Sequence, residues 1–301
     1  VVAAAFVLAA LPAPAQAAGC AWTFSGLPDH QNLRHERVNA ISPDGAVIIG
    51  DATTPDANAT LKGVLWFGAT AADMGDQNWG PSVDNATYDV NNAGVVAGYT
   101  YDNDTGRTRS YRFHEGVYEW LRAPGGVNGV ANFINERGDV VGWLQDVDGG
   151  NEKTVLWRAG TVRPEVIGKG IPAGFDEAGH VVTSEGRIWS LDGTSVRIRD
   201  LRGAHPTHYA DGHAVGVNGA HQIIEWNLDG AVTRVIENAT TVEAVNSNGV
   251  VAGLHAVGEK RSWAIWTDGE PQDVDGYVAG ITDSGTAYGQ RGWDAVIYTC
   301  R

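Results

Sequence analysis

Residues 90–100 read VNNAGVVAGYT, and residues 134–145, INERGDVVGWLQ, nearly repeat them. Aligned on the first Gly, the pattern occurs seven times: SPDGAVIIG from Ser42, NNAGVVAG from Asn91, NERGDVVG from Asn135, DEAGHVVT from Asp176, YADGHAVG from Tyr209, NSNGVVAG from Asn246 and TDSGTAYG from Thr282. An Asn or Asp can hydrogen-bond its own backbone at a tight turn while Gly supplies positive φ, so each copy reads as a turn that enters a strand. The paired valines are expected to lie near the axis of the array. The second Gly, which lacks Cβ, is expected to let neighbouring units approach closely.

Each copy is followed by a further apolar strand ending in an aromatic: Trp66, Phe113, Trp157, Trp189, Trp226, Trp266 and Tyr298. Aromatics at one fixed position of a repeat read as packing between units. A Gly-containing turn and a short strand such as VYEWL then complete the unit. Seven units share the chain at about 40 residues each, the length of a four-stranded propeller blade. The expected fold is therefore all-β, a seven-bladed β-propeller with four-stranded blades. The last unit lacks its fourth strand, and AWTFSGLP, residues 21–28, precedes the first copy and can supply it. Such strand exchange closes the ring and hides an edge.

Composition agrees. Forty glycines and 19% charged residues in a chain of 301 suit many short strands and tight turns. Residues 1–17, an uncharged apolar run with Pro12, Pro14 and the small residues Ala15 and Ala17, read as a signal peptide truncated at its basic start. Residues 18–301 are then the propeller, secreted and soluble. Cys20 and Cys300, the two cysteines, read as a disulfide joining the two ends in an oxidising compartment. The net charge of −15 repels phosphate backbones and anionic bilayers, so neither nucleic-acid binding nor membrane insertion is expected.

The INxxGxVVG strand followed by an aromatic-ended strand resembles the secreted HAF-repeat family, over essentially all of residues 21–300. The stretches nearest to its His-Ala-Phe tripeptide are KGVLW, RSYRF and SWAIW. In plan the chain is also similar to the lectin-like propeller subunit of actinobacterial umbrella toxin particles. These resemblances imply a secreted binding module, lectin-like or an adaptor, whose partner is a cell-surface glycan or a secreted protein.

Because strands in a blade alternate in direction, the second-to-third links and the blade-to-blade links share one face, called here the upper face. On it the expected ligand-binding residues are Trp79, His30, Arg34, His35, His205 and His208. Trp79, in a long polar loop, either meets sugar or folds back onto its blade. His205 and His208, with Asp211 and His213 nearby, are zinc-ligand types, but Pro206 opposes a helix that would align them. Asp102 and Asp104 in YDNDTGRTR, and Asp146 and Asp148 in QDVDGGNEK, put oxygen ligands at alternate positions on adjacent units. These loops could hold calcium or simply be solvated. No G-x-S-x-G, H-E-x-x-H or phosphate loop is present, so catalysis is not the first expectation. The alternative is a secreted glycosidase or lyase with acidic residues at the axis, for which Glu243, Asp211 and Tyr209 are the candidates.

Overall fold

The computed structural model describes residues 21–30, 32–56, 59–75, 82–124, 128–145 and 150–300. They form seven antiparallel sheets of four strands each. Six take their strands in chain order from residues 34–73, 83–120, 128–169, 172–197, 208–236 and 239–274. In the seventh, Tyr277–Ile281, Ala287–Arg291 and Asp294–Cys300 are joined by Trp22–Gly26 as the outermost strand. We number these blades one to seven in that order. The first strands of successive blades touch one another all the way round, and that of blade seven touches that of blade one. The chain is therefore a closed seven-bladed β-propeller, with no α-helix among the described residues.

The strand exchange runs in register from Trp22 opposite Cys300 to Gly26 opposite Val296. Cys20 lies outside the described residues, as do Trp79, Asp146 and Asp148. The covalent bond from Cys20 to Cys300 is thus not carried by the fold and returns below as a proposal.

Two details of the repeat differ from expectation. The valine strand, for example Val96–Asp102, is the second of its blade; the strand before the motif, for example Val83–Val90, is innermost. The second Gly also serves its own blade rather than a neighbour. A Cβ on Gly50 would lie 1.8 Å from the Arg37 carbonyl oxygen, one on Gly142 2.0 Å from that of Val130, and one on Gly253 2.2 Å from that of Thr241. Each of those carbonyls belongs to the innermost strand of the same blade, beside a bulge that shifts its register. In blade four Thr183 takes the Gly position, and there the innermost strand only begins at Pro172, opposite it.

The motif Asn does what the turn requires and one thing more. Asn91 Oδ1 accepts from Val95 N at 3.0 Å, and its amide nitrogen donates 3.1 Å to Asn135 O in the next blade. Asn246 repeats this with Val250 N and Thr282 O. The following residue extends the link: Asp44 N donates to Asn92 Oδ1, Asn92 N to Glu136 Oε1, and Glu136 N to Glu177 Oε1, at 2.8, 3.1 and 2.8 Å. The turns thus form a belt from blade one to blade four on the lower face.

The repeated aromatics are core. Trp66, Trp157, Trp226 and Trp266 are fully buried. Three of their indole N–H groups donate to the carbonyl of the link arriving from the preceding blade: Trp66 to Pro28, Trp157 to Arg122 and Trp226 to Asp200, at 2.9, 3.1 and 2.8 Å. One side chain thereby fills the space between blades and satisfies a buried carbonyl.

Candidate functional site

A cleft of about 1050 Å³ lies between blades two and three, within the size range of small-molecule sites. The second-to-third link of blade two and its strands contribute Thr100, Asp102, Thr105, Arg107, Thr108 and Arg109. The outer strand and the blade-to-blade link add Trp120 and Arg122, and blade three adds Asn128 and Arg163. Four arginines and one aspartate thus line the cleft, a locally positive site on a chain of net charge −15.

The packing that positions these groups is specific. Arg112, buried under the cleft, donates through Nη2 to the carbonyls of Trp157 and Arg158, each at 2.7 Å, and through Nη1 to Thr161 O at 3.1 Å. Arg122 N donates to Val162 O at 2.9 Å. These bonds hold the 158–164 link of blade three against blade two and bring Arg163 to the cleft. The Arg109 guanidinium carbon lies 4.3 Å from the centre of the Trp120 ring, a cation–π contact that fixes its plane. Asn128 Oδ1 accepts from Thr108 N, and Thr108 Oγ1 accepts from Gly129 N, which stitches the two blades at the cleft floor.

Of the described residues expected to bind ligand, Asp102 alone lines this cleft. Its Oδ1 accepts from Asp104 N and Thr105 N at 2.9 and 3.2 Å, so the loop is closed by its own hydrogen bonds, and these contacts hold its carboxyl below the usual carboxylate range. Among the described residues no three His, Cys, Asp or Glu side chains gather where they could hold a metal ion.

The remaining candidates are dispersed. His30, Arg34 and His35 lie at the seam of blades seven and one. There His30 N donates to Glu36 Oε1 at 2.6 Å, and the His35 ring meets the exposed Trp293 edge-on at 4.3 Å. His205 Nδ1 donates to Ser184 O at 3.2 Å, whereas His208 Nδ1 contacts Thr207 Oγ1 at 3.1 Å. His208 stands on the innermost strand of blade five, and its enclosure pushes its pKa down to about 4. The two histidines thus have separate partners.

A second polar cluster lies along the innermost strands and, in blade one, the second strand Ile48–Thr53. Asp51, fully buried, accepts from Arg37 Nη2 at 2.9 Å, Asn39 Nδ2 at 2.6 Å and Thr87 N at 2.9 Å. Burial raises its pKa against the lowering effect of Arg37 and these hydrogen bonds. Glu243, placed by a bulge between Val242 and Ala244, accepts from Tyr277 OH at 3.2 Å, and burial followed by the Glu243 charge pushes the phenol up to about 12. Tyr209 and Asp211 do not join Glu243: Tyr209 OH donates 2.5 Å to the buried Asp176, and Asp211 occupies a left-handed turn position.

No family model matches the sequence, nor does any curated protein. Solved structures share its architecture. An oligogalacturonate lyase from Vibrio parahaemolyticus superposes with a TM-score of 0.61 at 10% identity, over 92% of this chain and 96% of that one. A puromycin-hydrolyzing peptidase from Mycobacterium tuberculosis gives 0.52 at 12% identity, over 93% of this chain but 52% of its own. For an acylaminoacyl peptidase from Pyrococcus horikoshii the values are 0.51 and 15%, over 81% and 45%. The chain spans about half the length of the two peptidases. At these identities the likeness is one of fold.

Proposed function

We propose that this chain is a secreted, non-catalytic binding module, lectin-like, that holds a cell-surface glycan in the cleft between blades two and three. The observation that carries this reading is the cleft's lining of arginines, threonines, an asparagine and a tryptophan. Arginine stays protonated and presents five donors in a rigid fork, a group that holds a ligand rather than one that moves protons. The proposed export and the Cys20–Cys300 bond suit a rigid ring working outside the cell. A glycan array probed with the purified ring, together with Arg122→Ala and Arg163→Ala, tests the reading. Binding of at least one glycan class, weakened tenfold or more by either change, is expected. A blank array, or binding indifferent to both variants, overturns it. An adaptor role in a secreted particle predicts in addition a large native assembly in culture supernatant.

A second reading, a carbohydrate-active lyase or glycosidase, draws on the Glu243–Tyr277 pair of the innermost strands and the Arg37–Asp51 pair between the first and second strands of blade one. A carboxylate beside a phenol can serve as base and acid. The oligogalacturonate lyase shares the architecture and lends this reading weight. Depolymerisation of an oligouronate that vanishes in Glu243→Gln and Tyr277→Phe supports it; no turnover by the native ring removes it.

A further inference from the structure

Resting on the reading that the cleft holds a glycan, we propose that the ligand is an acidic oligosaccharide, gripped by its anionic groups and not by stacking of its sugar rings. Trp120 decides between these modes. Arg109 lies over its ring at 4.3 Å, Tyr118 stacks against it at 5.9 Å with 16° between the planes, and Tyr111 meets it edge-on at 6.3 Å. In the antiparallel register Tyr111 faces Trp120, with Tyr118 displaced to one side along the sheet and Arg109 to the other. The indole is therefore flanked in both directions and serves to orient a guanidinium, not to receive a pyranose. A guanidinium so fixed loses less freedom on meeting a carboxylate or sulfate, which it binds through two parallel hydrogen bonds.

The other cations are also available. Seven arginines elsewhere in the ring are paired with carboxylates: Arg37, Arg112, Arg137, Arg158, Arg202, Arg234 and Arg291. Arg107, Arg109, Arg122 and Arg163 have no such ion pair among the described residues, although they line one cavity. Asp102 offsets only part of their charge and like charges repel, so their gathering favours a further anion between them. Several anionic groups spaced along a chain suit four guanidiniums spread over a cleft better than a single small anion does. The Asn128 amide nitrogen and the Thr100 hydroxyl make no hydrogen bond among the described residues and also line the cleft, which provides for ligand hydroxyls. A long phosphate chain is disfavoured because the rest of the ring carries strong negative charge.

Calorimetry on the intact ring tests this with four probes: a hexasaccharide of uronic acids, its carboxyl-reduced uncharged counterpart, a sulfated hexasaccharide of equal length, and an oligoglutamate of equal charge. The uronate is expected to bind at least tenfold more tightly than the reduced sugar, with affinity that falls as salt is raised. Tighter binding of the sulfated probe supports the same anionic chemistry and identifies sulfate as its source. Equal affinity for the reduced sugar overturns the proposal and leaves the glycan reading standing, whereas failure of all three saccharides defeats that reading itself. Oligoglutamate binding as tightly as the uronate also overturns the proposal, in favour of a protein partner. Arg109→Gln and Arg163→Gln should each weaken uronate binding tenfold and flatten its salt dependence. The salt titration of the unaltered ring stands independently of whether either variant folds.

Discussion

At Gly50 a single hydrogen atom separates a propeller blade from a clash. A Cβ there would meet the Arg37 carbonyl at 1.8 Å and the Trp66 ring at 2.9 Å, and neither can withdraw without moving a strand or a core aromatic. Gly50→Ala is expected to lower unfolding free energy by about 3 kcal/mol or more in denaturant titration. Gly219→Ala, where nothing lies within 4 Å, should stay within about 0.5 kcal/mol of the parent. Two titrating groups also give opposite pH signatures. Desolvation pushes buried Asp89 up to about 7, against hydrogen bonds from Ile134 N and Val90 N. Between about pH 4 and 7 the folded chain therefore holds a proton that the unfolded chain has released, so this residue makes stability fall as pH rises, by a few kcal/mol at most. His208, held near 4 against its ordinary 6.5, is neutral in the fold and protonated when unfolded, so its contribution is lost as pH falls from 6.5 to 4. Melting temperatures between pH 4 and 8 should therefore show a steeper acid loss in Asp89→Asn and a shallower one in His208→Gln.

The strand and turn are the level at which sequence was most informative. A repeat of Asn, Gly and paired valines is a local instruction, and each copy carries it whole, so seven blades and their order could be counted before any coordinates. The neighbours that each copy meets were less legible. That the second Gly yields to a carbonyl of its own blade follows from a bulge one strand earlier, and bulges leave no fixed residue signature. The cleft was missed for a related reason. Its arginines at 107 and 109 share the strand Arg107–His114, but Arg122 and Arg163 come from a link and from the next blade's hairpin, with no spacing common to all four. One signal was available: RTRSYR, residues 107–112, concentrates three arginines in a chain with 21 lysines and arginines against 36 acids. The repeated tryptophans were correctly read as core, but their donation to the preceding link was not visible in a list of aromatics. Trp226→Phe removes the bond to Asp200 O while keeping most of the packing. It should cost about 2 kcal/mol, part of it for the carbonyl left unpaired; denaturant unfolding measures it.

For the ring as a whole, closure rests on the outermost strand of blade seven, which comes from the other end of the fold. Trp22–Gly26 is held by one ladder to Asp294–Cys300 and by Trp22 Nε1 donating to Gln272 at 3.0 Å. If the proposed Cys20–Cys300 bond closes the ring, a loop of nearly the whole chain is tied off, for which chain entropy gives about 5–6 kcal/mol. Cys300→Ser, or reduction of the native ring, should then lower the unfolding free energy by up to that amount. Unchanged stability on reduction would remove the covalent seam from the account while leaving the strand exchange intact.

The same pairing has a temporal side. Thr23 and Thr299 face each other across 276 positions of sequence, so the earliest-made strand has no companion until the final one emerges. At a synthesis rate of about 10 residues per second, that is roughly half a minute during which the outermost sheet lacks a member. A barrier of this sort belongs to topology and not to any one contact, and it delays circularisation until Asp294–Cys300 has been made.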